Sequence, residues 1–463
     1  MNQTWNYVVD IAVISILLLI SVVLKRNVGL FKKYPIPVPV IAGFLGLILG
    51  RDILGIISFN SVRLDNLVYH LMNIGFIALS LKSGKVKGKE YVNSGLFIVS
   101  TYVVQGLLGF GLSLAFFFTI FPNTFPLSGL LLPLGFGQGP AQAYSMGAQW
   151  EKLGFTYGGN MGLTYAAMGY IWACAGGVFL TSWLKKVRGM KPSAVTAVKS
   201  TDNIFDEDKP NELPMKESID GLTLQLIMIG GIYLLTYLTL TGLQFLLAKF
   251  GSYGANLAQL LWGFSFIIGA VYGMLIRRIL DLCFKKNWMK SDYTSNYLLE
   301  RLAGGSFDFM ITAAIAAISL YMLKGYLYPF LIITTLGGLL TVWYILKISK
   351  RIYKNESLEN ILAMYGMLTG TISTGIALLR EVDPHFQTQA ARNLVYGSGT
   401  GLAFGFPLMI ILNIPIMAYT NNQPILYLVT LLAFAVYLVA LLIALWKNSR
   451  QEKNLGAIEE KKE

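Results

Sequence analysis

Long apolar runs separated by short polar loops dominate the hydrophobic pattern of this chain. A helix that crosses a lipid bilayer needs roughly 20 predominantly apolar residues, and runs near that length recur from end to end. The pattern predicts membrane helices at 7–24, 36–50, 67–81, 92–121, 161–184, 222–248, 255–276, 303–323, 327–346, 393–419 and 425–446. One longer polar stretch, 185–220, mixes both charge signs with proline and serine, which predicts a solvated linker between two halves.

Two further apolar segments, 127–150 and 358–380, are rich in residues that interrupt helices. The interrupting residues are Gly135, Gly137, Gly139, Pro140, Gly366, Gly370 and Gly375. Backbone groups freed in hydrocarbon are costly unless protein or a watery cavity satisfies them. The pattern therefore predicts two broken hairpins with a functional role, and close helix packing by small residues is the alternative interpretation.

Lysine and arginine are unevenly distributed between the loops, and cytoplasmic loops retain an excess of them. One set of alternate loops contains 26 of these residues and the other set contains 5. This difference predicts a cytoplasmic linker and C-terminus and an N-terminus outside. This topology is self-consistent only if 127–150 enters and leaves the membrane on the outer side and 358–380 enters and leaves it on the cytoplasmic side. We therefore expect two re-entrant hairpins in a multi-pass protein of the cell membrane.

The order of segments is the same in both halves while their expected orientation is opposite, which is the inverted-repeat plan of secondary transporters. The predicted fold is an all-α polytopic membrane protein with two inverted five-helix repeats, each with a re-entrant hairpin. The N-terminal repeat spans 1–184, the cytoplasmic linker 185–220 and the C-terminal repeat 221–419. Residues 420–463 add one further transmembrane helix and a cytoplasmic tail.

Composition agrees with lipid as the natural solvent. Of the 463 residues, 55% are hydrophobic and 13% are charged, and the mean hydropathy is +0.58. The net charge of +13 comes from basic clusters between apolar runs, so nucleic acid is not an expected partner. No HExxH, GxSxG or GxxxxGK motif occurs, so neither an enzyme nor an ATP-driven pump is expected.

The two hairpins carry the predicted binding chemistry. Half-helix N-termini can hold an anionic group, and unwound carbonyls can replace the hydration shell of Na⁺. We expect substrate contacts from Gly137, Gln138, Gly139, Gln142, Thr371, Ser373, Thr374 and Arg380. We expect Na⁺, the coupling ion, at Gly135, Thr369, Gly370, Asn73, Asn160, Thr164 and Asp308. No other metal and no organic cofactor is expected.

Two of these residues have alternative interpretations. Asp308 is an acid inside an apolar run, where ionised side chains are rare and usually functional. It could bind Na⁺, carry a proton or lie at the cytoplasmic interface. Arg380 could pair with a substrate carboxylate or balance Glu381 in a cytoplasmic loop.

Motifs in three parts of the chain resemble the sodium/glutamate symporter family. They are FKKYPIPVPVIAGFLG at 31–46, LGFGQGPAQA at 134–143 followed by LGFTYGGNMGLTYAAMGYIWACAGG at 153–177, and GTISTGIALL at 370–379. The likeness covers roughly residues 1 to 419. It implies a homodimer and Na⁺-coupled uptake by relative motion of a core part and a scaffold part.

Two motifs depart from the usual pattern of that family. Gln138 stands in GFGQGP, where the family usually has histidine in its glycine-rich hairpin, and YGML at 365–368 replaces the family's GHCGFG stretch. The expected substrate is therefore glutamate or a related small carboxylate or amino acid. A proton-coupled organic anion transporter and a channel-like pore are the alternatives.

Overall fold

Helices make up the regular structure of the described part of the chain, which contains no β-strand. The computed structural model describes residues 3–29, 36–82, 89–186, 189, 220–251, 254, 258, 261–262, 265–286, 288, 293–318, 325–353, 357–383 and 388–459. Most of the predicted linker, 185–220, and the first part of the predicted segment 255–276 lie outside these residues.

Seven α-helices occupy the described part of the first half. They are α1 (Gln3–Asn27), α2 (Val38–Leu49), α3 (Ser61–Ser80), α4 (Lys89–Phe118), α5 (Pro140–Glu151), α6 (Gly158–Ile171) and α7 (Gly177–Lys186). A 3₁₀ turn, Ser128–Leu130, and a π-helical segment, Pro133–Gln138, precede α5, and a π-helical turn, Trp172–Gly176, joins α6 to α7.

Nine α-helices follow in the described part of the second half. They are α8 (Gly221–Ala248), α9 (Ser265–Lys285), α10 (Asn296–Ala316), α11 (Leu327–Ile352), α12 (Ser357–Thr369), α13 (Ile372–Leu379), α14 (Ala390–Ile411), α15 (Ile414–Thr420) and α16 (Ile425–Glu459).

Six stretches of helix in the described residues are long and apolar enough to cross a membrane. They are Trp5–Asn27, Tyr91–Phe118, Gly158–Lys186, Gly221–Ala248, Leu327–Ile352 and Ile425–Asn448. The expectation of an all-helical, multi-pass membrane protein is thereby confirmed.

Several predicted helix boundaries are wrong, because counting apolar positions does not detect polar residues at a helix end. The predicted segment 303–323 is helical from Asn296 to Ala316, since the Ser295 hydroxyl accepts the Leu298 N–H at 3.3 Å and caps an earlier start. The predicted segment 393–419 consists of two helices, α14 and α15. Pro415 lies in the first turn of α15, a position that proline favours.

The chain folds into two compact units, and the first comprises Met1–Ser21, Ile41–Lys85 and Thr201–Ala317. Helix α3 contacts α8, α9 and α10 within it. Ile77 of α3 and Leu81, which follows α3, share a buried cluster with Ile229, Ile232 and Leu299. Gly269 of α9 allows close approach to α3, because a β-carbon on it would lie 2.9 Å from Ile77 Cγ1.

Asp10 and Arg63 form a two-point ion pair inside the first unit. Arg63 Nε lies 2.6 Å from Asp10 Oδ2, and Arg63 Nη2 lies 3.1 Å from Oδ1. Asp10 is buried in the apolar helix α1, where an unpaired carboxylate would be costly. The pair therefore holds α1 against the start of α3.

The second unit comprises Val22–Val40, Val86–Ser200 and Ile318–Glu463. Helix α4 contacts α11, α14 and α16 within it, and also the π-helical segment before α5. Gly109 of α4 crosses Gly129 so closely that a β-carbon on either residue would overlap the carbonyl oxygen of the other. The second unit thus packs the interrupted segments against one long helix.

Replacing Arg63 with methionine should destabilise the protein by about 2 kcal/mol, because it leaves the Asp10 carboxylate buried without its partner. Fully buried pairs lose about 3–5 kcal/mol when one partner is removed, and Arg63 keeps partial exposure. The measurement is thermal unfolding of the purified protein in detergent. Lys82→Met is the matched control, since Lys82 pairs with the exposed Glu300 and such pairs contribute about 1 kcal/mol or less. Equal losses in both variants would contradict a structural role for the Asp10 pair.

Candidate functional site

The first interruption in the second unit lies between the π-helical segment Pro133–Gln138 and α5. Gly139 has φ +96° and ψ 178°, a conformation that favours glycine, and it ends the π-helical segment. Pro140 then begins α5, where its missing N–H and fixed φ are tolerated. The sequence GQGP therefore breaks the helix at one residue, as the density of glycine and proline predicts.

The second interruption lies between α12 and α13, at Gly370 and Thr371. The Thr371 N–H donates to Thr374 Oγ1 at 2.8 Å. Thr374 Oγ1 in turn lies 2.5 Å from the Gly366 carbonyl and 2.8 Å from the Thr371 carbonyl, and one of these accepts its proton. The Thr374 hydroxyl is therefore engaged in closing the interruption.

These two interruptions, far apart in sequence, meet within the second unit. A β-carbon built on Gly139 would lie 3.4 Å from Thr371 Cγ2 and 4.0 Å from the Gly370 carbonyl oxygen. We call this region the junction: Gly137–Pro140 together with Leu368–Thr374. A side chain at position 139 would fill the space between the main chain of the first hairpin and that of the second.

The junction presents helix ends of opposite polarity. Helix α5 starts there, and no side chain among the described residues caps its N-terminus. Helix α12 ends there at Thr369, with its last carbonyls. The first few N–H groups and the last few C=O groups of any helix lack partners within it, and they carry opposite partial charges. The Met367 and Leu368 carbonyls already accept hydrogen bonds from the Gly370 N–H and from Gln105. The main-chain carbonyls that the junction can offer to a cation are therefore those of Thr369 and Gly370, beside the amide donors that α5 can offer to an anion.

Gln105 of α4 contacts the junction, and the sequence did not predict this contact. Its Nε2 donates to the Leu368 carbonyl and to Thr341 Oγ1, each at 2.9 Å. Its Oε1 lies 3.2 Å from the position that a β-carbon on Gly137 would take. The one sequence signal for Gln105 was an amide side chain in the apolar run YVVQGLLGF. The pattern of that run does not indicate which helix the amide faces.

The other residues predicted in the first hairpin are packed to different degrees. A β-carbon on Gly135 would lie 2.7 Å from the Ala166 nitrogen, so glycine there permits contact with α6. Gln138 is half-buried, and Gln142 is buried in the first turns of α5. These placements put Gln138 and Gln142 on either side of the first interruption, while Gly135 faces α6.

Predicted residues of the second hairpin lie on both sides of its interruption. Thr369 is fully buried, its hydroxyl donates to the Tyr365 carbonyl at 2.7 Å, and its own carbonyl oxygen abuts Gly169 of α6. Thr371 is half-buried, and the side chain of Ser373 lies outside the described residues. The Thr371 Oγ1 atom is buried and has no hydrogen-bond partner among the described residues. Backbone groups and the Thr371 hydroxyl, rather than the Thr369 and Thr374 hydroxyls, are therefore the groups that this hairpin offers to a ligand.

Arg380 lies away from the junction. It is exposed and follows the last residue of the eight-residue helix α13. At about 1.5 Å of rise for each of the nine residue steps, its main chain is roughly 13 Å from Thr371. The structure therefore does not bring Arg380 together with the other predicted substrate contacts.

Asn160 and Thr164 follow the first hairpin on α6, within the second unit. Thr164 Oγ1 donates to the Asn160 carbonyl at 2.8 Å, a bond within the helix. Asn160 is buried, and its Oδ1 has no hydrogen-bond partner among the described residues. Asn160 thus keeps an acceptor available, whereas the proton of the Thr164 hydroxyl is used.

Asn73 and Asp308 are members of the first unit, whereas the residues of the junction are members of the second. Asn73 is fully buried on α3, and its Nδ2 donates to the Tyr69 carbonyl at 2.9 Å. Asp308 is exposed on α10, more than three turns beyond the start of that helix. Neither residue belongs to the group of side chains that the second unit assembles.

No protein family model, no curated protein and no solved structure matches this chain.

Replacing Gly139 with alanine should lower the thermal midpoint, because a non-glycine residue in this backbone conformation costs about 1–3 kcal/mol. Gly111→Ala in α4 is the control, since a β-carbon there meets no atom within 4 Å and alanine favours helix over glycine by up to about 1 kcal/mol. Thermal unfolding in detergent measures both. If the Gly139 variant proves as stable as the Gly111 variant, the main chain at the first interruption is not the strained one described.

Proposed function

We propose that the protein is a sodium-coupled secondary transporter, a symporter that takes up glutamate or a related small carboxylate or amino acid by alternating access. The proposal rests on one observation, the meeting of Gly139 with Gly370 and Thr371 at helix ends of opposite polarity. Half-helix ends near the bilayer midplane, at the interface between two repeats, are the usual binding elements of such transporters. The resemblance to the sodium/glutamate symporters independently leads to the same function.

The membership of the two units supports an architecture of inverted repeats. The first unit takes most of α1 with α2 and α3 from one half, and α8 to α10 from the other. The second unit takes α4 to α7 from one half and α11 to α14 from the other, and α16 as the additional helix. Each unit thus draws corresponding elements from both halves. The second unit is the candidate for the core part, because it holds both interruptions.

The proposed topology has the N-terminus outside and the linker and C-terminus in the cytoplasm of a cell-membrane protein. It follows from the distribution of lysine and arginine between loops, with 127–150 re-entrant from outside and 358–380 re-entrant from the cytoplasm. Hairpins entering from opposite faces would allow the junction to be reached from either side in turn. The family resemblance adds a homodimer to this proposal.

Three rivals remain as alternatives to Na⁺ symport. A channel could use irregular main chain as a selectivity filter, but the junction carries amide donors as well as carbonyl oxygens, which suits simultaneous capture of an anion and a cation. A proton-coupled organic anion transporter would need a titratable group in the pathway, and Asp308 is the candidate. A membrane enzyme has no motif to support it in this sequence.

Purified protein in proteoliposomes should accumulate labelled glutamate, another small carboxylate or an amino acid when an inward Na⁺ gradient is imposed. Gly137→Leu should abolish this uptake while the protein still inserts, because a β-carbon at Gly137 already overlaps the Tyr102 ring. Gly230→Leu in α8 is the matched control and should keep uptake, since a β-carbon there meets open space.

Other outcomes of the uptake experiment would indicate a different function. Flux that ignores the gradient and never concentrates solute would indicate a channel, and uptake driven by an inward proton gradient alone would indicate proton coupling. Normal uptake by the Gly137→Leu variant would remove the first hairpin from the mechanism.

Impermeant thiol reagents should label the two ends of each hairpin from one face only. Asn123→Cys and Lys152→Cys flank the first hairpin at exposed positions, and both should react from outside. Lys350→Cys and Glu381→Cys flank the second, and both should react only from the cytoplasm. Cys174 and Cys283 are first replaced by serine. Labelling of the two ends of either hairpin from opposite faces would make that segment a plain span and exclude the inverted repeat.

A further inference from the structure

The Gln105 side chain faces both sides of the junction. It lies on α4, is 0% exposed, and is bonded to the end of α12 through the Leu368 carbonyl. Its Oε1 faces Gly137 in the first hairpin. A side chain in this position affects whatever the junction binds.

The orientation of the Gln105 carboxamide follows from its neighbours. The Thr341 hydroxyl donates its proton to the Gly337 carbonyl at 2.7 Å, so towards Gln105 it can only accept. The Leu368 carbonyl can only accept as well. Both hydrogens of Nε2 are thus used, and exchanging the oxygen and nitrogen would set Oε1 against two acceptors.

The remaining atom, Oε1, is buried and has no hydrogen-bond partner among the residues that the structure describes. A buried polar atom without a partner costs about 1–3 kcal/mol, and native proteins seldom leave one without a purpose. Since Oε1 can only accept, its missing partner is a hydrogen-bond donor or a cation.

Two features favour a small cation over an organic solute. Helix α12 ends at Thr369, so its negatively polarised end lies beside Gln105. Gly137 and Tyr102 pack so closely that a single β-carbon does not fit between them. An organic solute does not fit on that side of Oε1, whereas a dehydrated ion occupies much less space.

We propose that Gln105 Oε1 is a ligand of the coupling Na⁺, together with main-chain carbonyls at the end of α12, of which Thr369 and Gly370 are the nearest in sequence. The proposal rests on the Na⁺ coupling proposed above and adds a ligand from α4, outside both hairpins. Because Nε2 of the same amide is bonded to Leu368, ion binding and the position of the second hairpin are linked through one side chain.

The test compares the thermal midpoint of the purified full-length protein in NaCl and in KCl at equal concentration. The wild type should be more stable in NaCl, because a ligand that binds the folded state stabilises it. Gln105→Met, which keeps the length of the side chain and removes the carbonyl, should need at least about tenfold more Na⁺ for half of that shift, a change of about 1.4 kcal/mol in affinity.

Two variants separate a ligand from a merely structural amide. Gln105→Glu keeps an oxygen and loses the N–H donors, so it should retain the Na⁺-specific shift that Gln105→Met loses. Thr341→Val removes one acceptor of Nε2, so it should lower the midpoint in both salts and leave the difference between them intact. Equal loss of the shift in all three variants would reduce Gln105 to a structural role and overturn the proposal.

The remaining outcomes distinguish this proposal from the proposed function. A wild type that shows the Na⁺-specific shift, with a Gln105→Met variant that keeps it, refutes Gln105 as a ligand and leaves Na⁺ symport in place. That result would assign the partner of Oε1 to an ordered water. A wild type with the same midpoint in NaCl and KCl refutes Na⁺ coupling, and the Gln105 proposal with it.

Discussion

The satisfaction of backbone hydrogen bonds at two interruptions is the constraint on which the second unit depends. Main chain that leaves a helix inside a membrane protein must find partners in the protein itself. Thr374 supplies one at the second interruption by accepting the Thr371 N–H. Tyr365 donates its hydroxyl proton to the Trp172 carbonyl at 2.6 Å, within the π-helical turn between α6 and α7. Side chains from neighbouring helices thus replace bonds that a regular helix would have made.

The groups that remain after these bonds are formed define what the junction can bind. The N-terminus of α5 keeps its amide donors, and Gln105 keeps one carbonyl oxygen. Glycine at position 139 lets the two hairpins approach closely, since a β-carbon there would already lie 3.4 Å from Thr371 Cγ2 and 4.0 Å from the Gly370 carbonyl oxygen. The same two interruptions therefore determine both the local fold and the groups available to a ligand, so a change in the backbone there alters binding.

The break at Gly139 and the ends of two helices show why some predictions from the sequence were confirmed and others were wrong. The glycine and proline of GQGP predicted a break that the structure has at Gly139, because the conformational effect of these residues is local. The predicted segment 36–50 is helical only from Val38 to Leu49, and the predicted segment 425–446 belongs to a helix that continues to Glu459. Hydropathy measures how apolar a residue is, and capping and polar helix ends lie outside what it measures.

The sequence by itself determined that the chain is an all-helical membrane protein with two interrupted segments, because these properties depend on local composition and backbone preference. Only the tertiary structure decided that Gly139 meets Gly370 and Thr371, and that Gln105 joins them while Arg380 does not. Such contacts depend on which faces of distant helices pack together. An apolar run that is hydrophobic all round carries no periodicity from which that face could be read.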